Sequence, residues 1–188
     1  NLSKRKNSIK SIGIESSGIG FKNSWVNLQI CKGNEDWGAG NDISLALNRS
    51  SMPYNYFLLS SNYGKIRVSY IHGFLESINN GFNRYINARG IEWTNSKSLV
   101  VSFSETVIYS GANRPFDIAY LNPIASHLEV ELNNRLNSLG TKSSNAVWQT
   151  HLDFLIQKRF RLSINYLIDE FVIDPDIELN KEHGNGYA

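Results

Sequence analysis

Along most of the chain, hydrophobic and polar residues alternate with a period of two rather than 3.6, which is the signature of half-buried β-strands. In 25–31, Val26, Leu28 and Ile30 share one face, and Asn27 and Gln29 the other. In 42–48, Ile43, Leu45 and Leu47 alternate with Ser44, Ala46 and Asn48. In 65–74, Ile66, Val68 and Tyr70 oppose Arg67 and Ser69, and in 98–109, Leu99, Val101 and Phe103 oppose Ser102, Ser104 and Thr106. Two further runs follow at 148–156 and 160–173, the second with Leu162, Ile164, Tyr166 and Ile168 facing away from Arg161, Ser163, Asn165 and Asp169. Clusters rich in Asn, Gly and Ser separate these runs, at 33–42, 50–55, 77–83, 94–98, 110–117 and 137–145. Such residues adopt turn conformations at low cost. The pattern predicts an all-β, antiparallel meander. Periodicity alone leaves open whether it forms a sandwich or a barrel.

One segment breaks the rule. Over 123–137, Pro123 suits a first helical position, and Leu128, Leu132 and Leu136 recur at helical spacing. A short helical or irregular segment is expected there.

The polar faces change the picture. They are rich in Ser, Asn, Thr and Gln, with isolated Arg and Asp, which suits a wet lumen as well as a solvated surface. Aromatic residues recur near the run ends: Trp25, Tyr63, Phe74, Tyr85, Trp93, Tyr109, Phe160 and Phe171. A membrane barrel places its interfacial girdle at such positions. No apolar run reaches the roughly 18 residues of a membrane-spanning helix, which leaves spanning strands open.

The chain has 188 residues and a net charge of +2. That length suits one domain, 1–188, and so small a charge gives no reason to expect a nucleic-acid partner. The basic cluster within 1–10 (Lys4, Arg5, Lys6 and Lys10) reads as a solvated tail. The single cysteine, Cys31, can form no internal disulfide and reads as a small packed residue in a strand. With Asn1 first and Met52 the sole methionine, the chain reads as a mature product or a piece of a longer protein.

Catalytic patterns are scarce. His72, His127, His151 and His183 lack metal-ligand spacing, and no nucleophile elbow or phosphate loop occurs. No metal, cofactor or catalytic residue is expected. Glu105 shares the parity of Leu99, Val101 and Phe103, a poor place for an unpaired charge. It is therefore expected either to be flipped by a bulge or to pair with Arg89 or Arg114. What remains is a binding-type inventory of aromatics, amides, guanidinium groups and carboxylates, the groups that recognise sugar faces and hydroxyls.

Several blocks carry a resemblance, in this order along residues 25–178: NLQICKGNEDWGAGNDISLALNRSSMPYNYFLL, YGKIRVSY, YINARGIEW, FSETVIYSGANRPFDIAYLNP, NAVWQTHLDFLI and RFRLSINYLIDEFVID. The chain resembles the Wzi-type capsule assembly family of outer-membrane β-barrel proteins, particularly Bacteroidetes-type members including gliding-motility relatives. The resemblance implies a barrel in the bacterial outer membrane, in contact with lipid. Its implied role is to help capsular or exopolysaccharide associate with the cell surface by non-enzymatic, lectin-like binding. That barrel has more strands than this length supplies, so the chain is expected to be part of a larger one. Ligand contacts are expected from Arg114, Asp117, Tyr120 and Asn122, with Trp37 and Glu105 in support. Two other readings stand beside it. One is a soluble β-sandwich glycan-active enzyme or carbohydrate-binding module, with Glu105 and either Glu129 or Asp169 as acids. The other is a structural or gliding-motility outer-membrane barrel without a sugar ligand.

Overall fold

The computed structural model describes residues 17–37, 44–48, 50–78, 81–127, 130, 144–169 and 185–187. It is an all-β fold: nine strands form one antiparallel sheet whose spatial order is the chain order. They are β1 (Ser17–Lys22), β2 (Val26–Gly33), β3 (Tyr54–Tyr63), β4 (Ile66–Ile78), β5 (Phe82–Thr94), β6 (Leu99–Ala112), β7 (Ser144–Ile156), β8 (Phe160–Ile168) and β9 (Asn185–Tyr187). Among the described residues no pairing joins β1 to β9, so the meander is an open sheet rather than a closed barrel.

The two ends of the sheet differ. At one end the hairpins are tight. Gly64 and Lys65 alone separate Tyr63 from its partner Ile66, and Gly64 sits at φ +65°, where a β-carbon is strained. Between β5 and β6, the Asn95 side chain accepts hydrogen bonds from the backbone N–H of Lys97, Ser98 and Leu99 at 2.8–2.9 Å. Asn23 closes the β1–β2 turn in the same way, accepting from Trp25 and Val26. Gln157 and Lys158, both at positive φ, turn β7 into β8. At the opposite end lie the long connections, 34–53, 113–143 and 169–184, beside the short connection 79–81, and there β4 carries a bulge between Phe74 and Glu76.

Strands β2, β4, β6, β7 and β8 answer to the alternating runs. Within the run at 42–48, the described residues 44–48 form no strand. Among its described residues only Leu47 pairs, in an isolated bridge to Trp37, and Leu47 packs against Tyr54, Tyr56, Leu58, Ile71, Ile86 and Ala88. Its alternation serves packing of a connection onto the sheet. Strand β3 lies where a turn cluster and no alternating run was evident. Both of its faces carry large apolar side chains, Tyr54, Tyr56 and Leu58 against Phe57 and Leu59, so period two is lost. The predicted helical start at Pro123 also shifts. A 3-10 turn forms earlier, at Ile118–Leu121, because the Asp117 side chain accepts from the Ala119 N–H. Helical backbone begins at His127, with the Val130 N–H donating to the Ser126 carbonyl. Residues 131–137 lie outside the described residues.

The sheet has two cores, one on each face, both toward the long-connection end. One gathers Leu47 and Trp37 over β3–β5. The other gathers Tyr120, Ala125 and Val130 over Tyr85, Val107, Tyr109 and Ala146. Toward the tight-turn end no such cover lies on either face among the described residues, and β6–β8 bury their polar rather than their apolar parity. His151, Asp153 and Asn165 are 7%, 5% and 0% exposed, whereas Phe103, Leu162 and Ile164 are 48%, 46% and 46% exposed. Polar in and apolar out is the inverse of burial in water.

Candidate functional site

Two constellations carry polar groups, one on each face. The first begins with a row in direct register across four strands: Tyr70, Arg89, Glu105 and Trp148. By parity these side chains share a face with the exposed Phe103 and Ile91 of the neighbouring row. The Arg89 guanidinium Nε lies 3.0 Å from Glu105 Oε2. The Trp148 indole N–H donates to Glu105 at 3.0 Å, and the His127 backbone N–H reaches both carboxylate oxygens at 3.0 and 3.1 Å. Thus Glu105 is buried, satisfied and paired with Arg89, with no bulge in β6. Of the two arginines expected as partners, Arg89 is selected because it stands directly opposite.

Residues 114–127 form a strap across this row. The sheet's side chains hold it chiefly through its backbone carbonyls. Tyr70 and Asn87 both donate to the Tyr120 carbonyl, at 2.8 and 2.9 Å. Arg89 donates to the Asn122 carbonyl at 3.2 Å, and Asn83 and Tyr85 donate to that of Arg114. Since Tyr70 gives its proton to Tyr120, His72 Nδ1, 3.1 Å away, carries the donor hydrogen to the Tyr70 oxygen. His72 Nε2 then accepts from the Tyr109 hydroxyl at 2.8 Å. Stacked rings complete the attachment. Tyr120 lies on Tyr109 with centroids 4.5 Å apart, and Phe116 on His72 at 4.2 Å.

The expected ligand residues divide accordingly. Arg114, Asp117, Tyr120 and Glu105 are brought together, but as buried parts of this attachment. Arg114 donates to the Ser110 carbonyl and lies 4.9 Å over the Tyr109 ring. Asp117 caps the 3-10 turn. Asn122 is exposed, and its side chain accepts from the Ile124 N–H in the turn formed with Pro123. Trp37 is elsewhere, half-buried on the opposite face, where its ring lies over Gly90. A β-carbon at Gly90 would meet that ring at 3.4 Å. Sequence reasoning did not single out Tyr70, Asn87, Trp148 or the His127 backbone as members of this cluster. The signal was present in β4 and β5, where Tyr70, His72, Asn87 and Arg89 continue the apolar parity with polar groups.

The second constellation covers the polar face. Arg67 reaches Glu92 at 3.4 Å and donates to Asn62 at 3.0 Å. The next groups along the same face are the Ser102–His151 contact and the Gln149 amide, which donates to Asn165 and accepts from the Ala46 N–H. Asp153 then takes a two-pronged contact from Arg161 and a hydrogen bond from Ser163. Guanidinium, carboxylate, amide and hydroxyl groups thus line one surface.

The pair of acids considered for glycoside hydrolysis is separated. Asp169 accepts from Asn145, on the polar parity of β7, whereas Glu105 lies beneath the strap on the other face. Glu129 lies outside the described residues. Among the described residues no cluster of His, Cys, Asp or Glu fits a metal ion, and no helix is long and apolar enough to cross a membrane. Comparison with family models, with curated proteins and with solved structures finds no match for this chain.

Proposed function

We propose that the chain forms part of the wall of an outer-membrane β-barrel that helps surface polysaccharide associate with the cell, as the resemblance to the Wzi-type family implies. The observation that carries the membrane part is the inverted burial of β6–β8, with polar side chains inward and Phe103, Leu162 and Ile164 outward. In water such a face would be a large adhesive patch. Against hydrocarbon it is the expected one. Three further features support it. Tight turns at one end and long connections at the other match the periplasmic turns and extracellular loops of bacterial barrels. Exposed Trp25, Tyr63, Trp93 and Phe160 gather at the tight-turn end, where an aromatic girdle belongs. Tilted as barrel strands are, β4–β7, at 13 or 14 residues each, rise about 30 Å, enough to cross the roughly 25 Å apolar band of a barrel.

The polysaccharide part rests on the resemblance and on the chemistry of the polar face. With Glu105 beneath the strap and Arg114, Asp117 and Tyr120 turned onto the sheet within it, the sugar contacts are assigned to Arg67, Glu92, Asn62 and Arg161, on the polar face toward the tight-turn end. Their planar and hydroxyl-seeking groups suit a hydrated polymer. No chemical step is involved; the mechanism is multivalent binding.

The test is fractionation of cells expressing the protein, followed by retention of capsular polysaccharide on vesicles that contain it. Recovery in the outer membrane, heat-modifiable gel mobility and retention that weakens in Arg67→Ala and Arg161→Ala support the full reading. Membrane recovery without retention leaves a structural barrel, and recovery as a soluble periplasmic protein sinks both.

A further inference from the structure

We infer that the strap is an interfacial ledge, lying at the lipid headgroup level on the outer face of the wall. This rests on the barrel reading above. The strap sits on the same sheet face as the apolar band, one row beyond Phe103, Ile91 and Val68. Its inner side is occupied by Tyr120, Asp117 and Arg114. Its outer side carries Ile118, Leu121 and Ile124, which are 72%, 40% and 88% exposed. Across residues 115–126 the only formally charged side chain is Asp117, and that is turned inward. A water-facing loop of this length has no reason to present aliphatic side chains and withhold charge. A segment embedded about 5–10 Å deep at the headgroup and acyl boundary does.

The row beneath explains why the ledge sits there. The Arg89–Glu105 pair and the Tyr70, His72 and Asn87 polar groups occupy the outward parity, where direct contact with hydrocarbon would be costly. The strap's carbonyls and ring faces replace water for these groups. Its aliphatic side chains then continue the apolar band outward. On β6 the outward parity thus turns from apolar to polar between Phe103 and Glu105, and the strap begins there.

The experiment uses the full chain with Cys31→Ser and one new cysteine, at Ile124, Ile118, Phe103 or Lys97, labelled with an environment-sensitive fluorophore. Each protein is reconstituted in phosphatidylcholine vesicles brominated either near the acyl-chain carboxyl end or near the chain terminus. The Phe103→Cys probe is expected to be quenched by both bromines, and by the deep one more than either strap probe is. The Ile124→Cys and Ile118→Cys probes lose most to the shallow bromine, and the Lys97→Cys probe, at a tight turn, is quenched least. Unquenched probes at both 124 and 118 beside a quenched probe at 103 would overturn the ledge while leaving the barrel standing. An unquenched probe at 103 would overturn the barrel and the ledge with it. Both strap positions are exposed, so the substitutions there leave the packing intact.

Discussion

Arg89 and Glu105 stand directly opposite each other on β5 and β6, 3.0 Å apart, on a sheet face whose adjacent row is exposed and apolar. The pair is buried by a strap that it also anchors, because Glu105 receives the His127 N–H and Arg89 holds the Asn122 carbonyl. A charge pair thus ties a connection to the sheet.

Replacing one member leaves the other charge buried. Glu105→Gln is expected to destabilise the fold by about 3–5 kcal/mol. The double replacement Arg89→Met with Glu105→Leu recovers only part of this, because the Trp148 and His127 N–H groups lose their acceptor. Urea unfolding of the single and double variants in detergent micelles checks both. Equal stability of Glu105→Gln and the parent protein would count against a buried pair.

The inverted burial makes a sharper demand. Phe103→Arg, on the apolar face one row from the strap, is expected to cost about 1–2 kcal/mol in a bilayer, between the midplane and interfacial values. Ser69→Lys, on the polar face opposite Ser60 and Gly90, is expected to cost less than about 1 kcal/mol. Folding yields in lipid vesicles, titrated with urea, separate the two. The opposite ranking would assign the polar face to the outside.

The tight turns provide a control remote from both faces. Gly64 has open space around a β-carbon, so any cost of Gly64→Val is a backbone cost. At φ +65° it is expected to be about 1–2 kcal/mol. Asn95→Ala removes one acceptor shared by three backbone N–H groups, and about 1–2 kcal/mol is expected there too. Both losses should appear in denaturation midpoints with the strap's protease resistance unchanged.

Much of the sheet was legible because alternation records which side of a strand is wet. It worked for β6, where Ser102, Ser104 and Thr106 oppose Phe103, and it located the problem of Glu105 from parity alone. It failed at β3, where both faces carry large apolar side chains, and at 42–48, where Leu47 packs a connection onto the sheet. The candidate site was less legible for a related reason. A Gly-Asn-Arg-Pro turn followed by Asn-Pro is punctuated alike whether its side chains meet a ligand or fold onto the sheet. What distinguishes the cases is the long-range register that sets Arg89 beside Glu105 and Tyr120 over Tyr109, which no local pattern encodes.

Tyr120 offers the most direct access to the strap alone. It is fully buried, its ring stacks on Tyr109, and its carbonyl receives Tyr70 and Asn87. Tyr120→Ala removes the ring and keeps the carbonyl, so the expected loss of about 3–5 kcal/mol comes from packing. Because the strap contributes no ladder hydrogen bonds to the strands, that loss should fall on its attachment first. Limited proteolysis is expected to cut within 113–130 in Tyr120→Ala, while heat-modifiable mobility of the sheet persists. Tyr120→Phe, which retains the stacked ring, should resist cleavage like the parent protein. Simultaneous loss of strap and sheet in Tyr120→Ala would mean that the strap is integral to the wall rather than laid upon it.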